Sequence, residues 1–234
     1  MVKSELVQRS PLRVFEKSIH GGLGAGNIGV LASRKGVGKT ACLVHIGTDQ
    51  LFREKHVIHV SFSSRVDHIV SWYEDIFKEI SKKRELEDAL DIHDDIVKNR
   101  VIMNFNQEGI STDQILRSIS AMITDGHFAA DQILFDGFDF AQASAEDVAK
   151  IKAFAGEHKL EVWFSASLKG DEPCYDEKGY PNELKSFAEN LDVVITLAYE
   201  GDHVKLKAVK DRSSEELHDM HLMLDPKSLL IARE

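Results

Sequence analysis

The sequence predicts an α/β protein with a mostly parallel central sheet, flanked by helices and closed by antiparallel strands at its C-terminal end. Through roughly the first two-thirds of the 234 residues, short apolar runs alternate with longer segments of helical period. Such alternation is typical of parallel strands joined by crossover helices. The later apolar runs follow one another with short connections, which favours antiparallel pairing.

The elements follow from these runs in chain order. The predicted strands span 27–32, 55–61, 101–105 (within the segment 99–106), 131–136, 160–165, 192–197 and 203–209, with edge strands at 221–224 and 229–231. The predicted helices span 41–52, 66–80, 113–124 and 144–158. Ser111 or Thr112 is expected to cap the third helix, and Ser144, with Asp147 as its capping-box partner, the fourth.

The residue pattern justifies the type of each element. The earlier strands are mostly continuous apolar runs, as expected of strands buried on both faces. The strand 203–209 alternates apolar residues with lysines and is expected to be half-exposed. The helix 66–80 has a broad apolar face, whereas 81–98 is charged, with an acidic cluster that includes Glu87 and Asp88. We interpret that cluster as a solvated helix face.

Composition narrows the class of protein. The chain is 43% hydrophobic and 29% charged, with no apolar run as long as a membrane span and no hydrophobic signal region at its start. Its two cysteines argue against a disulfide framework. We therefore expect a cytoplasmic protein without a membrane partner, with an N-terminal arm (1–20) packed on one domain (21–234). The net charge of −10 does not favour nucleic acid as a partner.

One motif points to a specific chemistry, that of a phosphate-binding loop between the first strand and the helix after it. Small residues allow backbone N–H groups to surround phosphate oxygens, and the helix start favours an anion. Lys39 is predicted to contact the outer phosphates and Thr40 to bind Mg²⁺. The pattern has one fault, since Ser33 replaces its first glycine. The predicted nucleotide-binding residues are Ser33, Arg34, Lys35, Gly36, Val37, Gly38, Lys39, Thr40 and Ala41.

A second acidic element completes the predicted site. A nucleotide site of this kind needs a carboxylate at the end of a nearby buried strand to organise Mg²⁺. Asp136 follows an apolar strand and meets that need. The sequence therefore predicts ATP or ADP with Mg²⁺ as ligands, and Thr40 and Asp136 as the metal-binding residues. The residues from 21 onward then form a nucleotide-binding domain.

The ordered set of motifs resembles the RecA superfamily of P-loop ATPases. The glycine-rich segment 21–28 is similar to the start of KaiC-type domains, and the loop 33–41 resembles that of DnaB-type helicases. The run 192–197, followed by Lys210 and Arg212, resembles the closing strands of both. The resemblance extends over roughly residues 14–225. It implies a RecA-like fold in which Lys210 and Arg212 act on the nucleotide of a neighbouring subunit, and hence a homo-oligomer, either a ring or a dimer.

The sequence also departs from that family. The family's catalytic glutamate corresponds to Ser63 here, and 165–167 is Ser-Ala-Ser where the family often has a polar sensing residue. Serine is no general base at neutral pH without help, so the resemblance implies nucleotide binding with slow or absent hydrolysis. The chain is then expected to be a nucleotide-dependent switch or assembly module with a protein partner that the sequence does not identify.

Other functions stay open at this point. Asp67 or Asp139 could replace the missing base, which would make the chain an active ATPase. The loop also resembles that of ParA/MinD partitioning ATPases, although Arg34 stands where those proteins carry a lysine. A third alternative is a vestigial pocket in a domain that only docks a partner. His218 and His221 have some ligand-like spacing, but no third ligand can be named from the sequence, so no histidine metal site is predicted.

Overall fold

A computed structural model describes residues 2–63, 65, 67–86, 89–106, 109–170, 174–212, 214 and 217–234. These residues form an α/β structure built on one nine-stranded sheet. Most of the sheet is parallel, helices flank it, and its C-terminal strands are antiparallel, so the predicted fold class is confirmed at this level.

The described chain contains nine strands, seven α-helices and one 3₁₀ helix. The strands are β1 Ile28–Arg34, β2 Val57–Ser61, β3 Arg100–Asn104, β4 Gln132–Asp136, β5 Glu161–Leu168, β6 Val193–Glu200, β7 His203–Asp211, β8 His218–Leu224 and β9 Ile231–Arg233. The α-helices are α1 Val2–Gln8, α2 Leu12–Ser18, α3 Lys39–Phe52, α4 Asp67–Arg84, α5 Ala89–Lys98, α6 Thr112–Thr124 and α7 Ala145–His158, and the 3₁₀ helix is Asn182–Phe187.

The strand order determines which residues can meet. Across the sheet it is β3-β2-β4-β5-β1-β6-β7-β8-β9, and the first six of these strands are parallel. Strands β7, β8 and β9 each pair antiparallel with the strand before them. Because parallel strands all end at one edge of a sheet, the residues that follow β1 and β4 lie at the same edge, with β5 between them.

Both faces of the sheet are buried under helices. Alternate residues of β1 belong to different hydrophobic clusters, with Leu31 on one side and Val30 and Ala32 on the other. The first cluster lies under α1 to α5, and the second lies under α6, α7 and the 3₁₀ helix. This double coverage explains why the parallel strands have continuous apolar sequences.

Two predicted helix caps are present. The Ser111 hydroxyl accepts a hydrogen bond from the Gln114 N–H at 3.3 Å, so Ser111 rather than Thr112 caps α6. The Ser144 hydroxyl accepts from the Asp147 N–H at 3.2 Å at the start of α7. The Gln114 side chain in turn accepts a hydrogen bond from the Ser111 N–H, and the Asp147 side chain accepts one from the Ser144 N–H. Both helices therefore begin with a complete capping box.

Several element bounds differ from the prediction. Strand β5 continues past residue 165 to Leu168. Its backbone pairs with that of β1 up to the pair Arg34–Leu168, and this pairing does not depend on the polarity of the side chains. Helix α4 continues through a charged turn to Arg84. The basic residues of this last turn stabilise the helix, because they lie at the negative end of its dipole. Val66, Glu87 and Asp88 lie outside the described residues.

The N-terminal arm is helical on both sides of Pro11. Leu6, Leu12, Phe15 and Ile19 are buried in the same cluster as the core of α3 and α4. The arm therefore packs against the sheet's helical layer. Among the described helices, none combines the length and apolar character that crossing a bilayer requires.

Candidate functional site

The loop 33–41 has the strand–loop–helix setting that a phosphate-binding loop needs. Strand β1 ends at Arg34 and helix α3 begins at Lys39. Gly38, the residue before the helix, has φ +114°, a backbone conformation that side chains oppose. A Cβ placed there would lie 2.1 Å from Cδ2 of Leu224 on β8. Glycine is therefore favoured at 38 by its backbone conformation, and any larger residue would also displace the end of the Leu224 side chain.

The start of α3 presents backbone donors at this loop. The Cys42 N–H donates to the Gly38 carbonyl at 3.0 Å, which begins the helical hydrogen-bond series. The N–H groups of Lys39, Thr40 and Ala41 come before that series. They have no carbonyl acceptor within the helix, because the helix has no preceding turn. Together with the helix dipole they make this end of α3 suitable for an anion.

Lys39 places its ammonium group inside the loop. Its side chain is buried, and Nζ donates to the Arg34 carbonyl at 2.8 Å and to the Ser33 carbonyl and hydroxyl at 3.2 and 3.3 Å. Burial lowers the pKa of Lys39 to about 8, although the nearby Asp136 carboxylate and the Cys42 thiol act in the opposite direction. Lys39 is thus a positive charge held close to the backbone that would surround a phosphate.

The rest of the loop divides into exposed and buried residues. Arg34, Lys35 and Gly36 are exposed, whereas Val37 is buried in the first cluster. The loop is therefore anchored through Val37 and open to solvent on the side of its two basic residues.

Thr40 and Asp136 meet across the sheet edge. The Thr40 hydroxyl donates to the two Asp136 carboxylate oxygens at 3.1 and 3.0 Å. Asp136 ends β4, and Thr40 lies in the first turn of α3, shortly after β1. Because β1 and β4 end at the same edge of the sheet, the two residues meet there. Hydroxyl and carboxylate oxygens are hard ligands of the kind that Mg²⁺ prefers. These two residues could hold that ion.

Ser165 is a third member of the site that was not among the predicted metal-binding residues. Its hydroxyl donates to Asp136 Oδ1 at 2.7 Å and accepts from the Gly137 N–H at 2.9 Å. It therefore fixes the orientation of the carboxylate. One sequence signal could have indicated this role. Ser165 lies at the end of the predicted strand 160–165, and in the sheet that strand lies between the strand that ends at Asp136 and the strand that leads to the loop 33–41.

Residue 63, where the resemblance would place a catalytic glutamate, holds no carboxylate. The Ser63 hydroxyl accepts from the Arg65 N–H at 3.2 Å, within its own turn. Of the two suggested substitutes, Asp67 is exposed and pairs with Arg65 at 2.8 Å. Asp139 accepts from the Ala141 N–H at 3.0 Å and from the Gln142 side chain at 2.9 Å. Both carboxylates therefore stabilise local turns.

Lys210 and Arg212 lie at the opposite edge of the sheet. Lys210 pairs with Val194 near the beginning of β6, whereas the loop 33–41 follows the ends of the parallel strands. The Lys210 ammonium donates to the Ala188 carbonyl. Arg212 donates to the carbonyls of Ile19 at 3.1 Å and Gly22 at 2.8 Å. The chain does not bring these two residues to its own loop, and their action on a neighbouring subunit stays a prediction.

A second set of ligand-type side chains lies on the C-terminal strands. One nitrogen or oxygen atom from each of Asp219, His221 and Glu234 falls within 4.8 Å of the others. Lys205 Nζ already pairs with Asp219 at 2.6 Å and with Glu234 at 3.0 Å. The other histidine of the pair, His218, interacts instead with the Ser18 carbonyl at 2.8 Å. The lysine thus provides the counter-charge for both carboxylates.

Comparison with known proteins does not extend this picture. Neither a protein-family model nor a curated protein matches the chain. The fold and the site therefore define only a class of protein, an α/β protein with a mostly parallel sheet. At one edge of that sheet, Asp136 meets Thr40 of the loop 33–41.

Proposed function

We propose that this chain is a RecA-like P-loop domain that binds ATP or ADP with Mg²⁺ and acts as a nucleotide-dependent switch or assembly module. The observation that carries the proposal is the meeting of Lys39, Thr40 and Asp136 at the carboxyl edge of the parallel sheet. Ligands of α/β sheets bind outside the carboxyl ends of the strands. An ammonium group, helix N–H donors and two oxygen ligands at that edge match a polyphosphate with its metal ion.

The residues fit Mg²⁺ as a ligand. The Thr40 hydroxyl and the Asp136 carboxylate are within hydrogen-bond distance, so one cation could contact both, directly or through water. Ser165 also restrains the carboxylate, through a hydrogen bond to Oδ1. A bound Mg²⁺ would neutralise phosphate charge there, while Lys39 and the start of α3 hold the phosphate oxygens.

Weak hydrolysis is the second part of the proposal. Ser63 supplies no carboxylate, and the nearby candidates Asp67 and Asp139 are held in their own turns. A positioned general base typically contributes about 10²–10⁴-fold to a rate. We therefore infer that nucleotide binding is retained while turnover is slow or absent. A working ATPase, which remains the alternative in the enzyme class, would need one of these carboxylates to leave its present partner.

Sedimentation and turnover measurements test the proposal together. Measured with and without ATP and Mg²⁺, the sedimentation coefficient should change with nucleotide, and turnover should remain well below about 1 s⁻¹. Lys39→Ala should abolish the nucleotide-dependent change, whereas Lys98→Ala, on the exposed face of α5, should retain it. A sedimentation coefficient that is the same with and without nucleotide would refute the proposed nucleotide-dependent switch. Turnover at or above about 1 s⁻¹ would refute the proposed weak hydrolysis.

A further inference from the structure

A cavity lies away from the loop 33–41, at the other end of helix α3. It has a volume of about 660 Å³, is open to solvent on one side and is lined by α1 and the turn after it, the later parts of α3 and α4, and the segment around β9. We call it the α1–β9 cavity. That volume lies within the usual range for small-molecule sites, about 300–1,000 Å³.

The walls of the α1–β9 cavity are substantially apolar. Leu6, Phe52, Ile80 and Leu230 line it, and all four are buried members of the first hydrophobic cluster. They come from four different parts of the chain. This arrangement offers an apolar group a surface against which it could exclude water.

Its charged residues are mostly basic, in a chain of net charge −10. Four cationic side chains line the cavity: Arg9, Lys83, Arg84 and Arg233. The lining carboxylate is Asp49, which is already paired with Arg13 and, at 3.1 Å, with Arg53. Arg9 also pairs with Glu5 at 2.7 Å and Lys83 with Asp225 at 3.5 Å, so the positive excess at the lining comes from Arg84 and Arg233. The lining is therefore opposite in sign to the whole chain and favours an anionic ligand.

Two of the basic groups keep donors to spare. Lys83 Nζ donates to the Ser228 hydroxyl at 3.1 Å and to the Asp225 carboxylate at 3.5 Å, and Arg84 Nη2 donates to the Arg9 carbonyl at 2.7 Å. These bonds position the side chains at the cavity. An ammonium carries three N–H donors and a guanidinium five, so each can still bind an anion.

His45 adds a fixed neutral donor to the lining. Its Nδ1 accepts from the Ile231 N–H at 3.0 Å, so the ring hydrogen is on Nε2. Burial, aided by the charge of Lys83, lowers the pKa of His45 to about 3, so the ring stays neutral at ordinary pH. The backbone contact to β9 also fixes the orientation of the ring.

We propose that the α1–β9 cavity binds a small amphipathic anion, with an elongated apolar body against Leu6, Phe52 and Ile80 and a carboxylate near the basic groups. The volume, the apolar walls and the reversed local charge each favour this class. A cationic amphiphile would meet the same walls but a repulsive rim. The proposal does not depend on nucleotide binding, because none of the residues 33–41 lines this cavity.

Calorimetry with two probes of equal chain length tests the class of ligand. Dodecanoate and dodecyltrimethylammonium are titrated below their micelle-forming concentrations into the full chain. Dodecanoate should bind with one-to-one stoichiometry and at least about tenfold more tightly than the cation, the equivalent of one charge-assisted hydrogen bond. Equal affinities, several equivalents of dodecanoate, or no binding of it would overturn the proposal.

Matched variants test the place of binding. Lys83→Gln combined with Arg84→Gln should weaken dodecanoate binding by about tenfold or more. The control, Lys78→Gln with Lys82→Gln, removes two charges from exposed positions of the same helix and should leave the affinity unchanged. An equal loss in both pairs would show that net charge alone is responsible and would overturn the site.

A third measurement covers the case in which the cavity variant fails to fold. In the unmodified chain, dodecanoate should shift the ¹⁵N ring resonances of His45. Saturation with dodecanoate that leaves the His45 resonances in place would put the ligand elsewhere and contradict the proposal.

Discussion

The Thr40 hydroxyl donates to both oxygens of the Asp136 carboxylate, at 3.1 and 3.0 Å, although the two residues are 96 positions apart. One lies in the first turn of α3 and the other ends β4, with β5 between the strands that lead to them. The parallel arrangement brings them to one sheet edge. The same edge holds Lys39, and these three residues account for the binding chemistry proposed above.

Removal of the Thr40 hydroxyl should weaken nucleotide binding only when Mg²⁺ is present. Thr40→Val keeps the shape of the side chain but deletes a metal ligand, and the expected loss is about tenfold, the range of one charge-assisted contact. ATP affinity is measured with Mg²⁺ and with a chelator. Thr124→Val, at the exposed end of α6, serves as the control. An equal loss in chelator would argue against a metal role for Thr40.

The two glycines of the loop should respond differently to alanine. Gly36 has φ +84° with open space around it, so Gly36→Ala should lower the free energy of unfolding by about 1–2 kcal/mol, the usual strain of that conformation. Gly38→Ala adds the collision with Leu224, for which overpacking typically costs a further ~1–3 kcal/mol. Urea denaturation compares the two.

A double variant separates strain from collision at this position. Gly38→Ala combined with Leu224→Ala should recover the collision cost relative to the sum of the single changes, while the backbone strain remains. Strictly additive effects would mean that Leu224 does not limit the space at residue 38.

ATP affinity should fall at alkaline pH. The pKa of Lys39 is lowered to about 8 by burial, so the free protein loses this positive charge as the pH rises through that value. Affinity should be nearly constant below about pH 7, begin to weaken as the pH approaches 8 and fall further above it, approaching tenfold per pH unit. Calorimetric titrations up to pH 9.5 measure this. Lys39→Arg, which keeps its charge, should give a flat profile, and a flat profile in the unmodified chain would contradict the role of Lys39.

Glu16 should make the fold less stable as the pH rises. Burial raises its pKa from 4.5 to about 7, against the opposing charge of Arg13. The folded state therefore holds a proton that the unfolded chain releases, so this contribution to stability is complete below about pH 4.5 and is lost as the pH rises through 7. Urea unfolding at pH 5 and pH 8 should show a smaller pH-dependent decrease in Glu16→Gln than in the unmodified chain. The same decrease in both proteins would exclude Glu16 as its source.

A carboxylate at residue 63 should raise ATP turnover. Ser63→Glu restores the group that the family resemblance places there, and a positioned general base contributes about 10²–10⁴-fold. Steady-state phosphate release is compared between Ser63→Glu and Ser63→Gln, which has the same length but no basic carboxylate. Equal rates in the two variants would show that the missing glutamate is not what limits hydrolysis.

Local sequence patterns predicted the elements that carry the site. The apolar run before Ser33, the helical period after Thr40 and the apolar strand before Asp136 each report burial directly, and both capping boxes follow from residues close in the chain. The fold class was therefore predictable, as was the edge at which Thr40 and Asp136 meet.

Features that depend on distant residues were not predictable in this way. The Ser165 contact with Asp136 and the limit that Leu224 sets on Gly38 arise from strand order, which no short window of sequence contains. The α1–β9 cavity is likewise assembled from four separate segments. Strand β5 reaches Leu168 because its neighbour pairs with it, although polar residues interrupt the apolar run.

Calorimetric titration of the full chain with ATP and Mg²⁺ tests the central claim most directly. The account predicts one binding site per chain, with binding lost or weakened by at least about tenfold in Lys39→Ala. The absence of heat from either ATP or GTP at millimolar concentration, or the same affinity in Lys39→Ala as in the unmodified chain, would contradict it.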